Sequence, residues 1–105
     1  MKTTKLNGDL LDYWVYRVDG GKDTLTEFYA AKYQGRHAYS TEWNFGGPII
    51  ERERIHIAFV HDKQQWRADA RGNTNAPALG YGPTPLVAAM RAYVAKKCGE
   101  EVPHA

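Results

Sequence analysis

The stretch Gly80-Tyr81-Gly82-Pro83-Thr84-Pro85-Leu86-Val87-Ala88-Ala89-Met90-Arg91-Ala92-Tyr93-Val94, running on to Gly99 and Pro103, reads as a helix with both ends marked. Thr84 is a capping residue, and Pro85 fits the first turn, where an N–H has no partner inside the helix. Leu86, Ala89, Met90, Tyr93 and Val94 recur at intervals of three and four, so one stripe faces a core while Arg91 and Lys96 lie off it. Gly99 supplies the stop. The block anchors the fold and holds no reactive group arranged for chemistry.

Upstream, Ile55, Ile57 and Phe59 alternate with His56, Ala58 and Val60. After His61 to Gln65, Trp66, Ala68 and Ala70 alternate with Arg67, Asp69 and Arg71. This period of two predicts an antiparallel hairpin, 55–60 with 66–71, whose Ile/Phe/Trp face packs on the terminal helices and which a third strand can join. Gly72 to Pro77 reads as a loop. From Leu6 to Gly20, Leu10, Leu11, Trp14, Val15 and Val18 follow helical spacing, with Asn7 as cap and Gly20-Gly21 as stop. Thr24 and Glu27 have capping-box spacing ahead of a short helix through Phe28 and Tyr33, although Leu25 to Phe28 also suits an edge strand. The fold class is α+β: a small antiparallel sheet against an N-terminal and a C-terminal helix.

The 105 residues bound a single domain, 1–105, large enough for one core. Fourteen Lys and Arg against 12 Asp and Glu give a net charge of +2, too little for a strong field toward nucleic acid or anionic lipid. Cys98 is the one cysteine, so neither an internal disulfide nor a multi-cysteine zinc site forms. No apolar stretch approaches the length of a membrane span and the first residues lack a secretory core, so a cytoplasmic protein without a membrane partner is expected.

Three blocks stand in order: Leu6-x-Gly8-x-x-Leu11-Asp12; Tyr39-Ser40-Thr41-Glu42-Trp43-x-x-Gly46-Gly47-Pro48-Ile49-Ile50-Glu51; and Trp66-x-Ala68 followed by Gly82-Pro83-Thr84-Pro85-Leu86-x-Ala88-Ala89-Met90-Arg91-x-Tyr93-Val94. Together they resemble the NinX family of small bacteriophage and prophage proteins. The resemblance covers most of the chain, the stretch from Lys22 to Ala38 excepted. It implies a phage-encoded protein acting in the cytoplasm of a host bacterium, and it implies no reaction.

Candidate sites divide into three sets. Tyr39, Ser40, Trp43 and Phe45 lie beside the Gly46-Gly47-Pro48 turn, and aromatics held on loops anchor protein partners or close a core. These residues are the first choice for contact with a host or phage protein. Lys63, Trp66, Arg67 and Arg71 bring positive charge and a ring to the hairpin, as nucleotide or nucleic-acid binding uses, while Trp66 equally suits the hairpin core. His56 with Glu51 would serve a small hydrolase only within a cleft. Gly46-Gly47-Pro48 and Gly80-Tyr81-Gly82 could offer backbone N–H groups to an anion ahead of a helix, but the lysine of a P-loop is absent. His56 and His61 point to opposite faces of a strand, and His37 and His104 have no partner spacing, so no metal and no cofactor is expected. The reading is a non-enzymatic binding module without catalytic residues.

Overall fold

The computed structural model describes residues 1–72 and 76–103; His104 and part of the 72–77 loop lie outside the described residues. The chain runs α1 (Gly8–Val18), α2 (Leu25–Tyr33), α3 (Trp43–Glu53), β1 (His56–Val60), β2 (Gln65–Asp69), β3 (Leu79–Gly82) and α4 (Pro85–Cys98), with 3-10 turns at Thr3–Lys5 and His61–Lys63. The strands form an antiparallel meander in the order β1-β2-β3. The architecture is α+β, as the alternating and helical periods predict. Ile57 pairs with Ala68 and Phe59 with Trp66, so the apolar residues share one face.

The third strand comes from a segment that the sequence presents only as the approach to the last helix. Its glycines have a steric cause. A Cβ on Gly80 would stand 2.3 Å from the carbonyl oxygen of Ala88 and 2.5 Å from the nitrogen of Ala92, and one on Gly82 would stand 2.7 Å from Val87 Cγ1. Only bare backbone lets α4 lie this close to β3. Gly80-Tyr81-Gly82 is therefore a strand under a helix, and the anion-loop reading gives way to packing.

α4 starts as its sequence requires. The Thr84 hydroxyl accepts the Val87 N–H at 3.1 Å, Pro85 opens the first turn, and Gly99 ends the helix at φ 80°. The single apolar stripe proves too narrow, because Leu86 to Met90 and Ala92 to Val94 are all buried. The sheet covers one side of α4, and α1, α3 and the Thr3–Lys5 turn cover the others. Ala68, Ala70, Ala88, Ala89 and Ala92 are fully buried, and their small side chains let these layers approach closely. Burying each larger core residue, such as Leu11, Val15 or Met90, is worth roughly 1.5–3 kcal/mol. Arg91, expected away from the core, instead donates Nε to the Leu6 carbonyl at 2.8 Å and Nη1 to the Tyr81 carbonyl at 2.6 Å.

α1 keeps its expected span, but Asn7 makes no side-chain cap bond. At α2 the capping box is complete: Thr24 N–H donates to Glu27 Oε1 at 2.9 Å and Glu27 N–H to Thr24 Oγ1 at 3.2 Å, which decides for helix over edge strand. The two ends of the chain pair, with Thr3 N–H donating to the Glu100 carbonyl at 2.8 Å and Val102 N–H to the Met1 carbonyl at 2.9 Å. α4 covers the Trp66, Ala68 and Gly80 face of the sheet, and the opposite face presents exposed His56, Ala58 and Arg67 beside half-buried Tyr81.

Candidate functional site

Gly46-Gly47-Pro48 is not a turn ahead of a helix but the second turn of α3, which begins at Trp43. The carbonyl of Glu42 starts the helix by accepting Phe45 N–H and Gly46 N–H, both at 3.0 Å. Pro48, the proline inside α3, has no N–H for the carbonyl of Asn44, so one rung of the ladder is missing near the start. An anion site at the glycines is thereby overturned, because their N–H groups lie inside the helix rather than ahead of it. The sequence places these residues ahead of the helix, and so begins it too late, because Gly-Gly-Pro is a strong breaker signal that tertiary packing here overrides.

The reason for Gly46 is contact. A Cβ there would stand 2.4 Å from the Tyr39 carbonyl oxygen and 2.6 Å from Leu86 Cδ2, so α3 sits directly on the 38–42 turn and on α4. That turn is itself held from below, with Ser40 N–H donating to Asp12 Oδ1 at 2.8 Å and Glu42 N–H to the Ala38 carbonyl at 2.9 Å. Tyr39 packs edge to face with Phe45 at 6.2 Å between ring centres, and burial pushes its phenol up to about 12, so it stays neutral. Ser40 and Gly46 are buried and structural, and Tyr39, Phe45 and Gly47 are partly covered. Trp43 and Pro48 are exposed.

Trp43 remains 54% exposed on this rigid base, with Cε3 of its indole 3.7 Å from where a Gly47 Cβ would lie. Asn44, Pro48 and Glu51 continue the exposed side of α3. Tyr33 is more exposed still, at 96%, but a phenol tolerates water better than an indole, and with Tyr29, Asp9 and Lys32 it only lines a shallow recess of about 260 Å³.

The basic and aromatic residues of the hairpin do not gather. Trp66 turns toward the core, where its ring meets Phe59 edge to face at 5.2 Å, while its neighbour Arg67 points to the opposite face. Lys63 sits on the 3-10 turn, and Arg71 is paired with Asp69 at 2.7 Å. Burial opposes ionisation of Asp69, but the N–H groups of Ala78 and Arg71 and the Arg71 guanidinium outweigh it and hold the carboxyl below its usual range. The register instead sets Arg67 beside Tyr81. His56 and Glu51 are both exposed, and neither lines that shallow recess or a larger one of about 460 Å³ near the chain ends. His61 turns to the Phe59 ring at 4.9 Å, away from His56.

Two polar centres were not visible in the sequence. Asp12 is fully buried, paired with Lys32 and accepting from Ser40 N–H, so it joins α1, α2 and the turn beneath α3. Burial opposes the charge on Lys32, but Asp12 and Asp9 outweigh it and raise its pKa. The second centre gathers at Tyr93, whose hydroxyl donates to Asp19 Oδ1 at 2.8 Å and accepts from Arg52 Nη2 at 3.1 Å. Arg52 and Lys96 then hold Glu53 at 2.9 and 3.2 Å, the guanidinium first among the causes that keep this carboxyl below its usual range. The one sequence signal was Asp12 lying within the apolar run of α1; its partner 20 residues away follows from topology alone. His37 joins an aromatic cluster, stacked on Phe28 at 5.3 Å and near Tyr16 at 4.6 Å, and burial pushes its imidazole down, toward the neutral form.

The family described as Bacteriophage P22, NinX matches residues 2–97. The chain belongs to this family. The match runs from the first 3-10 turn to the last turn of α4, including the Lys22 to Ala38 stretch that the three sequence blocks leave out. It makes the chain a phage accessory protein of the NinX family. No curated protein matches it.

Proposed function

We propose that this NinX-family protein is a non-enzymatic binding module that grips a host or phage protein through the exposed side of α3, with Trp43 as the anchor. The observation that carries the reading is an indole more than half exposed on a helix fixed from beneath. An indole offers the largest apolar area of any side chain, and tryptophans on rigid supports dominate protein interfaces. Gly46 against Tyr39 and Ser40 on Asp12 remove the ordering cost that a loop would carry on binding. Of the residues first chosen for contact, Trp43, Gly47 and Pro48 form the surface, Tyr39 and Phe45 support it, and Ser40 and Gly46 position it.

A photoactivatable side chain at Asn44, with a control at exposed Thr26 on α2, tests this in infected cells. A discrete crosslinked polypeptide from position 44 and none from 26 is expected; equal crosslinking from both sites would count against the proposal. A second reading rests on Arg67 beside Tyr81, a cation and a ring on the uncovered sheet face, which suits a short single-stranded nucleic acid. It predicts binding that Tyr81→Ala weakens and that falls steeply with salt.

A further inference from the structure

The two edges of the sheet are treated differently. β3 is flanked by the start of the chain: Arg91 holds the carbonyls of Tyr81 and Leu6 together, and Lys2 to Thr4 line the 460 Å³ recess with Ala78 and Leu79. β1 pairs only with β2 among the described residues. Its sequence, His56-Ile57-Ala58-Phe59-Val60, carries no lysine, carboxylate or proline, and its five-residue register has no bulge. Proteins blunt open edges with those devices, because alternate N–H and C=O groups on an edge otherwise offer a template for another strand.

We propose that the β1 edge pairs with β1 of a second copy, antiparallel about a two-fold axis at Ala58, joining two three-stranded sheets into one of six. A second copy fits because the strand complements itself. In this register Ile57 of each chain faces Phe59 of the other on the helix side, so half-covered apolar side chains meet one another. The axis falls on exposed Ala58, whose methyl groups meet without crowding. The interface is isologous, as a closed dimer requires. A five-residue ladder buries less than a permanent interface, so the dimer exchanges with monomer. This surface is separate from Trp43 and does not depend on its role.

Sedimentation velocity of the full chain over a dilution series tests the pairing. The wild type is expected to pass from monomer to dimer as concentration rises. Ala58→Asp places two like charges about 5 Å apart at the axis and is expected to weaken dimerisation roughly tenfold or more, with an unchanged far-ultraviolet spectrum because the site is exposed. Wild type that stays monomeric throughout would overturn the proposal and leave the edge to a strand of another protein. A dimer untouched by Ala58→Asp but lost in Trp43→Ala would also overturn it.

Discussion

Two adjacent glycines in α3 are expected to respond to the same substitution with very different magnitudes. Replacing Gly by Ala inside a helix favours folding by about 1 kcal/mol, because Ala restricts the unfolded backbone and suits the helix. At Gly47 the new methyl meets Trp43 Cε3 at 3.7 Å, an ordinary contact, but Pro48 follows and disfavours helical backbone for a residue that carries a Cβ, which offsets the helical gain, so Gly47→Ala should change stability by less than about 1 kcal/mol. At Gly46 the methyl would stand 2.4 Å from the Tyr39 carbonyl oxygen and 2.6 Å from Leu86 Cδ2. Leu86 can rotate, but the carbonyl belongs to backbone whose next residue, Ser40, is bonded to buried Asp12. Overpacking of this kind costs about 1–3 kcal/mol, and loosening the Ser40 to Asp12 bond adds about 1.5–3. Against the helical gain, Gly46→Ala should lose a net of about 1.5–5 kcal/mol, or roughly 8–25 °C in midpoint at about 5 °C per kcal/mol for a chain of this size. Urea denaturation of both variants beside wild type gives the two numbers at constant slope. Equal effects at the two glycines, or a stabilising Gly46→Ala, would refute the claim that α3 sits on the 38–42 turn.

Asp12→Ala removes the buried partner of Lys32, which keeps only Asp9 at 3.2 Å, and the acceptor of Ser40 N–H, and should cost about 2–4 kcal/mol in urea denaturation. Asp12→Ala combined with Lys32→Met should recover part of that loss, since the half-buried cation that lost its main partner is then gone. Acid should destabilise the fold in a defined sense. Asp69 and Glu53 ionise below their ordinary values of 3.8 and 4.5 when folded, so the unfolded chain takes up protons first as pH falls. Their contribution is complete above those ordinary values and is lost as pH falls through the folded ones; Asp69→Asn should flatten the decline of stability below about pH 5.

The parts of this molecule that announced themselves are the parts governed by local rules. Thr84 with Pro85, Thr24 with Glu27, and the alternation from Ile55 to Ala70 each carry their partner within a few residues, and each holds in the fold. Features set by distant contact did not announce themselves. Gly46 and Gly80 look like turn glycines until the neighbouring backbone is in place, and only then are they seen to admit Tyr39 and α4. Trp66 and Arg67 are adjacent in the chain, but the period of the strand sends them to opposite faces, which dissolves the basic and aromatic set drawn from the hairpin. Asp12 and Tyr93 gather partners 20 and more residues away, so no spacing rule could reach them. Within the candidate site, the sequence groups the aromatic residues as one segment, and what the fold adds is their division into a half-buried layer, Tyr39 and Phe45, and an exposed residue, Trp43.

The claim that the exposed side of α3 is the working surface is tested most directly by the affinity of Trp43→Ala for the polypeptide crosslinked from position 44, measured by calorimetry beside its urea stability. The account predicts stability within about 0.5 kcal/mol of wild type, as for other exposed positions, and an affinity lowered about thirtyfold or more, the loss of an anchor worth at least about 2 kcal/mol. Unchanged affinity in a folded Trp43→Ala would contradict it.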